Sequence, residues 1–498
     1  HHGDGRTYGE GTIQRAVAGC NEFYGGQQRI RDQGSANINQ DAENVPTPTP
    51  GVDVGENLTD TGNARRFVRI HGKNVRYCVQ WKAWLIWDGT RWRRDDDLTV
   101  ERLAESVAMD LDHESSETID KDRRNALRRA AMAAESNKKK KDLLEIARSL
   151  LAVRQEDLNK NPWFLTTRNV TLDLKNVTAF EPRREDLITK RADVLYIPGA
   201  GCPHWLNFLD MIMAGNINLI KFLQRATGYS MTGICDERCI LILDGTGRNG
   251  KTTYEETIAA ILDEYALRTP TSTLMAKRHD GIPNDVAALK GARFVHASET
   301  KEGRGLSEEL IKDLTGTDTI SARFMRGEWF TFKPEFKLWL STNHKPVIKG
   351  TDDAIWDRIR LIPFTVRIPD DKLLPASEVK QMFAEERSGI FNWMLDGLAM
   401  WRTDGLGIPD EVREATGEYR EEMDSLRDFM DDCCIVGPIK EVTVAELYNE
   451  YLKWCEGNKE RPLTKKTFGS RMFERGFDQY QKPTGNRAKT WIGIGLQS

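Results

Sequence analysis

The run Gly245-Thr246-Gly247-Arg248-Asn249-Gly250-Lys251-Thr252 joins a glycine-rich turn to a lysine and a hydroxyl, with Thr253 next. Glycines let successive backbone N–H groups turn toward one point, and a helix starting there adds the positive end of its dipole. Lys251 would then reach the β- and γ-phosphates of a nucleotide, and the Thr252 hydroxyl would ligate Mg²⁺. The eight-residue pattern alone arises by chance in long chains. Its flanks give it weight: Cys239–Asp244 is apolar and β-branched, as a strand covered on both faces should be, and Thr253–Leu262 suits a helix. Without that context the same residues make a glycine-rich turn with a helix-capping Lys-Thr.

Hydrolysis of a bound triphosphate needs an acid, a sensor and a further cation. The apolar strand Arg293–Ser298 ends on Glu299, which is placed to polarise water and to help hold the metal; an ordinary strand-end ion pair is the alternative. Ser298 stands where many such sites carry Asp, which would leave the metal mainly to Thr252, the phosphates and water. A further strand, Phe336–Thr342, delivers Asn343 to the same edge, where an amide can bond both phosphate and water. Taken singly, an Asn after a strand is a turn former. Arg358 and Arg360 begin another apolar strand and could reach a neighbouring copy's γ-phosphate, or could pair with Asp352, Asp353 or Asp357. Between these, Thr319–Phe324 and Trp329–Lys333 read as the arms of a hairpin with Arg326 near its tip. A basic tip can grip a phosphodiester backbone without reading bases, unless the hairpin only packs on its own domain.

Elements of several domains must position these groups, since 498 residues predict two to four cores. Charged residues make up 30% of the chain, and no apolar run approaches the ~18 residues of a membrane span. Eight scattered cysteines suit reduced thiols inside a cell, and Cys235-x-x-x-Cys239 lacks a second pair at zinc spacing. Residues 1–56 are polar, and Val45–Gly51 alternates Pro with Thr as a semi-rigid spacer would. After it, Asp88-Gly89 predicts a hairpin turn among Trp81, Trp84, Trp87 and Trp92, which pack a small core or stack on bases. A helical stretch from Leu98 to about Leu158 follows, containing the solvated run Lys138–Lys141.

The tail predicts two amphipathic helices, Val444–Trp454 and Thr464–Glu474, then two strands at Gly476-Phe477 and Trp491–Ile494. Lys465, Lys466 and Arg471 are expected on the displayed face of the second helix, and Arg487 in the loop between the strands. From Lys459 to Lys489, nine Lys or Arg face three Asp or Glu, a local excess in a chain of net charge −4. That arrangement fits a winged helix on duplex DNA, or a basic domain that binds proteins.

The order and spacing of these motifs resemble the superfamily 3 helicases, specifically the phage and plasmid primase–helicase branch with its viral relatives. Asn57–Trp92 resembles the start of that branch's helicase-associated domain, and Cys202–Phe208 with Leu223-Gln224 and Gly228–Ser230 resembles its junction with the motor. Asn343–Pro346 and Asp352–Phe364 resemble its sensor and arginine segments. The fold so implied is an α/β P-loop NTPase, AAA+-like, with an α+β N-terminal domain and a C-terminal winged helix. The expected divisions are 1–56, 57–204, 205–370 for the motor, 371–425 as helical connector and 426–498. The resemblance implies an ATP- and Mg²⁺-dependent hexameric ring moving 3′→5′ on single-stranded DNA within the host cell. It makes Glu299 the Walker B acid, Asn343 the sensor, Arg358 rather than Arg360 the arginine finger, and Lys312, Arg323 and Arg326 DNA contacts. Primase and polymerase are expected partners, while residues 1–56 are too short and polar for a primase domain. A non-motor origin-binding initiator and a small-molecule P-loop kinase are the rival readings; the kinase lacks a recognisable lid and acceptor pocket.

Overall fold

A computed structural model describes residues 56–276, 284–298, 304–325, 327–348, 350, 352–423, 425–458, 462–481 and 488–497. The expected Pro-Thr spacer, Glu299, Arg326 and Arg487 lie outside the described residues. The chain divides into two compact units, one running to Cys202 with Glu385–Trp393, the other comprising Pro203–Ala384 and Met394–Ser498.

The first unit opens on α1 (Asp60–His71), capped by the Thr59 hydroxyl, which accepts from the Gly62 N–H. Strands β1 (Val75–Cys78), β2 (Ala83–Trp87) and β3 (Trp92–Arg94) form an antiparallel meander. The Asp88-Gly89 turn forms as expected: Asp88 Oδ1 accepts from the Thr90 and Arg91 amides at 2.8 and 2.9 Å, and Gly89 has φ +101°. Trp92 is fully buried and donates from Nε1 to the Arg184 carbonyl at 2.9 Å, so this tryptophan builds core. The expected long helical stretch is four helices: α2 (Thr99–Leu103), α3 (Ser106–Glu117), α4 (Lys121–Ala134) and α5 (Asn137–Leu150). It stops at Leu150 because the chain turns there into β4 (Ala152–Val153), which pairs in parallel with β1. Sheet pairing overrides helical propensity. The lysine run opens α5, where Lys139 pairs with Asp60 at 2.8 Å and Lys140 with Glu105 at 2.9 Å. Strands β5 (Phe164–Thr166), β6 (Thr171–Asp173) and β7 (Thr178–Phe180) complete the unit's sheets.

The second unit begins with α6 (Pro203–Ile212) and α7 (Ile217–Ser230), then alternates strand and helix. In chain order it contains β8 (Ile240–Asp244), α8 (Lys251–Leu262), β9 (Ala266–Arg268), α9 (Asn284–Ala287), β10 (Phe294–Ser298) and α10 (Glu308–Leu314). The hairpin β11 (Ile320–Ala322) and β12 (Phe330–Phe332) follows, then β13 (Lys337–Thr342), α11 (Asp353–Trp356) and β14 (Ile359–Pro363). Five of these strands form one wholly parallel sheet in the order β14-β8-β13-β10-β9. The run Ile240–Leu243 is buried at every position, as helices on both faces require. Beyond it lie α12 (Ala376–Glu385), α13 (Arg387–Asp404) and α14 (Asp410–Glu422).

The last stretch runs α15 (Ser425–Cys433), β15 (Cys434–Thr443), α16 (Val444–Gly457), α17 (Lys465–Glu474), β16 (Gln479–Gln481) and β17 (Lys489–Leu496). Its sheet order is β15-β17-β16, with both pairings antiparallel. The two helices and the strand at Trp491–Ile494 match expectation; the strand expected at Gly476-Phe477 instead starts at Gln479, because Gly476, at φ +82°, turns the chain first, and β15 was not foreseen. Its register shifts between Val436 and Glu441, across Gly437-Pro438, which breaks the alternation that would have marked a strand.

At the N-terminal end of the parallel sheet, the buried Lys337 ammonium donates to the Thr232 carbonyl and, at 3.1 Å, to its hydroxyl. It also lies 4.5 Å from the Tyr229 ring centroid. Burial pushes this lysine down to about 7. A folded value below the unfolded one means that the unfolded chain binds more protons between the two values, so stability rises with pH there. Melting temperatures of the wild type and Lys337→Met, followed from pH 7 to 10, should therefore diverge, the wild type gaining relative to the variant.

Candidate functional site

Strand β8 aims the glycine-rich loop at the C-terminal edge of the sheet, the crevice where open α/β sheets bind ligands. Thr342 pairs with Asp244, so Asn343 leaves its strand beside the start of the loop. The loop's shape depends on its glycines. Gly247 and Gly250 have φ +97° and +85°, and Arg248 adopts φ +51° between them. A Cβ on Gly250 would lie 2.7 Å from Ile212 Cγ2, and one on Gly245 would lie 2.4 Å from the Phe364 carbonyl oxygen. Lys251, only 5% exposed, donates from Nζ to the Gly245 carbonyl at 2.5 Å and to Asn249 Oδ1 and Asn343 Oδ1, each at 3.1 Å. Burial holds this ammonium below its usual range, and burial raises the neighbouring Asp244 carboxyl. Those lysine contacts are to neutral oxygens, which an incoming anion can replace with charged ones. Thr252 stays exposed at the helix start. Gly247–Thr253 with Ser298 and Ser341–Asn343 line a cleft of about 220 Å³. The donor set fits a phosphate chain: loop N–H groups, one ammonium and an exposed hydroxyl able to ligate a divalent cation.

Ser298 ends β10 level with Ser341, and its hydroxyl accepts from Arg268 at 3.1 Å. The loop's backing was missed in the sequence. Asn249 Nδ2 donates to the Phe364 carbonyl at 3.1 Å, the Ile368 amide to the Arg248 carbonyl at 2.9 Å, and Arg248 pairs with Asp370 at 2.9 Å. Asn249 was read only as a loop residue, and no local pattern ties it to a segment more than a hundred residues away.

The arginines sit elsewhere. Ile359 pairs with Ile240, so Arg358 lies at the opposite edge of the sheet from the loop, a strand length of about 16 Å at ~3.3 Å per residue. Neither Arg358 nor Arg360 makes an ion pair with Asp352, Asp353 or Asp357. Both donate to backbone carbonyls, of Ala354 for Arg358 and of Asp357 and Ile359 for Arg360. Asp352 instead pairs with Lys312 and caps α11, and Asp353 pairs with Arg420 at 2.6 Å.

Of the expected nucleic-acid contacts, Lys312 is thus engaged with Asp352, whose carboxyl that bond holds below its usual range. Arg323 follows β11 and lies 5.0 Å from the Trp329 ring centroid. Phe324, Met325 and Trp329 near the hairpin tip are 50%, 71% and 58% exposed. Lys465 and Lys466 are exposed in the first turn of α17. Arg471 is a correction. It is buried, because it falls on the helix face that carries Phe468 and Met472 into the module's core.

Comparison with known families matches "D5 N terminal like" over residues 64–214, a family of unknown function over 243–358 and "Poxvirus D5 protein-like" over 421–496. Residues 64–214 and 421–496 are thus similar to D5-type proteins. Among similar proteins, a "Putative helicase" of Acanthamoeba polyphaga mimivirus is 27% identical over 54% of this chain and 29% of that protein. A "Putative primase" of African swine fever virus is 22% identical over 64% of this chain and 36% of that protein. The chain thus spans about a third of the length of these relatives. The apo structure of the NrS-1 C terminal region aligns at 10% identity over 86% of this chain and 98% of that one, with a TM-score of 0.48.

Gly250→Ala should cost about 1–3 kcal/mol through its left-handed backbone and the Ile212 contact. Calorimetry should find a lower melting temperature and at least tenfold weaker nucleotide binding than for Gly417→Ala, where no atom lies within 4 Å of the added carbon.

Proposed function

We propose that this chain is an ATP-driven DNA helicase motor of superfamily 3, working in the replication of a virus, phage or plasmid. The observation that carries this reading is the contact between Lys251 and Asn343 at the crevice of a parallel sheet. It sets a phosphate-binding ammonium, at the head of α8, against a sensing amide just beyond β13. The loop amides and Lys251 would hold the phosphates, and the exposed Thr252 hydroxyl would ligate Mg²⁺. When bound, the metal neutralises charge on the phosphate oxygens. Asn343 orients the attacking water, and Glu299, beyond the end of β10, polarises it. β13 lies between β8 and β10, which supports the AAA+-like arrangement of phosphate loop, sensor and acid.

Arg358 stands a strand length from the loop of its own chain, so it serves a phosphate on the next copy. This supports a ring, proposed here as a hexamer. The β11–β12 hairpin, with Arg323 and its aromatic neighbours, grips single-stranded DNA. The order α15-β15-α16-α17-β16-β17 supports a winged helix at the C-terminus, with Lys465 and Lys466 toward duplex DNA. The setting is replicating DNA inside the host cell, alongside primase and polymerase. No helix among the described residues is long and apolar enough to cross a membrane.

ATP hydrolysis should rise at least severalfold when single-stranded oligonucleotide is added, and a forked duplex should be unwound. Lys251→Ala should reduce both by at least a hundredfold, a loss of about 2.7 kcal/mol or more. Hydrolysis indifferent to DNA, with no strand displacement on any fork, would favour an assembly-only initiator and defeat the motor reading.

A further inference from the structure

One helix, α14, holds both halves of the proposed ATPase machinery from the same side. The Thr416 hydroxyl accepts from the Leu361 amide of β14 at 3.1 Å, and the buried Tyr419 hydroxyl donates to the Pro346 carbonyl just beyond Asn343. Arg420 pairs with Asp353 at the head of the arginine segment. Thr416, Tyr419 and Arg420 are spaced three and four apart, which puts them on one helix face. The last turn then does two things at once. Glu422 receives Lys345 from the sensor loop, with both carboxylate oxygens 2.9 Å from Nζ. The adjacent Glu421 pairs with Arg427 of α15 at 2.9 Å. Two consecutive carboxylates therefore hold one cation from the sensor loop and one from the first helix of the C-terminal module.

We propose that the end of α14 is a coupling joint: Lys345, Tyr419 and Glu422 position the loop bearing Asn343, and Glu421–Arg427 passes any movement of that loop to the C-terminal module. The inference rests on reading Asn343 as a nucleotide sensor. Exposed ion pairs are individually weak, so the attachment comes mainly from buried Tyr419 and the glutamates fix which way α15 is pulled. Linkage makes the effect reciprocal: a ligand on the C-terminal module changes nucleotide affinity by the same factor.

Hydrogen exchange on the full chain, with and without Mg²⁺ and the slowly hydrolysed analogue ATPγS, tests this. In the wild type, exchange should slow in 245–253 and, by about five- to tenfold, also in 419–433. Lys345→Glu and Glu422→Lys should each keep the protection of 245–253 but lose that of 419–433, and the double reversal should restore it. Tyr419→Phe should weaken the distal protection while leaving the loop protected. Wild-type protection confined to 245–253 overturns the joint, as does distal protection unchanged in both single reversals. Absence of any protection at 245–253 is a separate outcome that overturns the nucleotide site itself, and the joint with it.

Discussion

Backbone pairing in the parallel sheet fixes almost everything else about this chain. Each strand of β14, β8, β13, β10 and β9 runs the same way, and helical connections return the chain to the starting edge. Every residue that follows a strand therefore collects at one edge, and every residue that precedes one collects at the other. Gly245 and Asn343 share the first edge because Asp244 and Thr342 are paired. Arg358 is held at the second because Ile359 pairs with Ile240. No rotamer change brings a side chain across that span. The proposed division of labour between neighbouring copies follows from strand polarity.

Lys251 shows how the crevice is kept ready. Burying an ammonium costs free energy unless its donors are satisfied, and the protein supplies oxygens from Gly245, Asn249 and Asn343. These acceptors are neutral, so the cation remains under-compensated and burial lowers its proton affinity. A polyphosphate would supply the missing charge. Asn249 is committed twice, to Lys251 and to the Phe364 carbonyl, so the loop is braced against the residue that follows β14.

Much of this was legible in the sequence because the signals are short-range. The apolar run before Gly245, the turn at Asp88-Gly89 and the spacing of Val444, Leu447 and Tyr451 each encode local geometry, and the corresponding elements form. What escaped is non-local. The stop at Leu150 is set by pairing with a strand more than seventy residues earlier. β15 carries Gly437-Pro438 within a shifted register, so no alternation marked it. Arg471 was assigned to the displayed face on its charge, whereas its position between Phe468 and Met472 places it inside. The partners of Arg358 and Arg360 were left open between carboxylates and a neighbouring copy. The structure gives them carbonyl acceptors, since Lys312 and Arg420 already hold Asp352 and Asp353.

The central claim is that one nucleotide is served by two copies of the chain, and mixing two inactive variants tests it most directly. Lys251→Ala cannot hold phosphate and Arg358→Ala cannot supply the guanidinium, so each alone should hydrolyse ATP at least a hundredfold more slowly than wild type. Co-assembled, they form some interfaces with an intact Lys251 facing an intact Arg358, and a substantial fraction of the hydrolysis rate should return. A mixture no faster than the sum of its parts, or an Arg358→Ala protein that hydrolyses ATP normally by itself, would contradict the account.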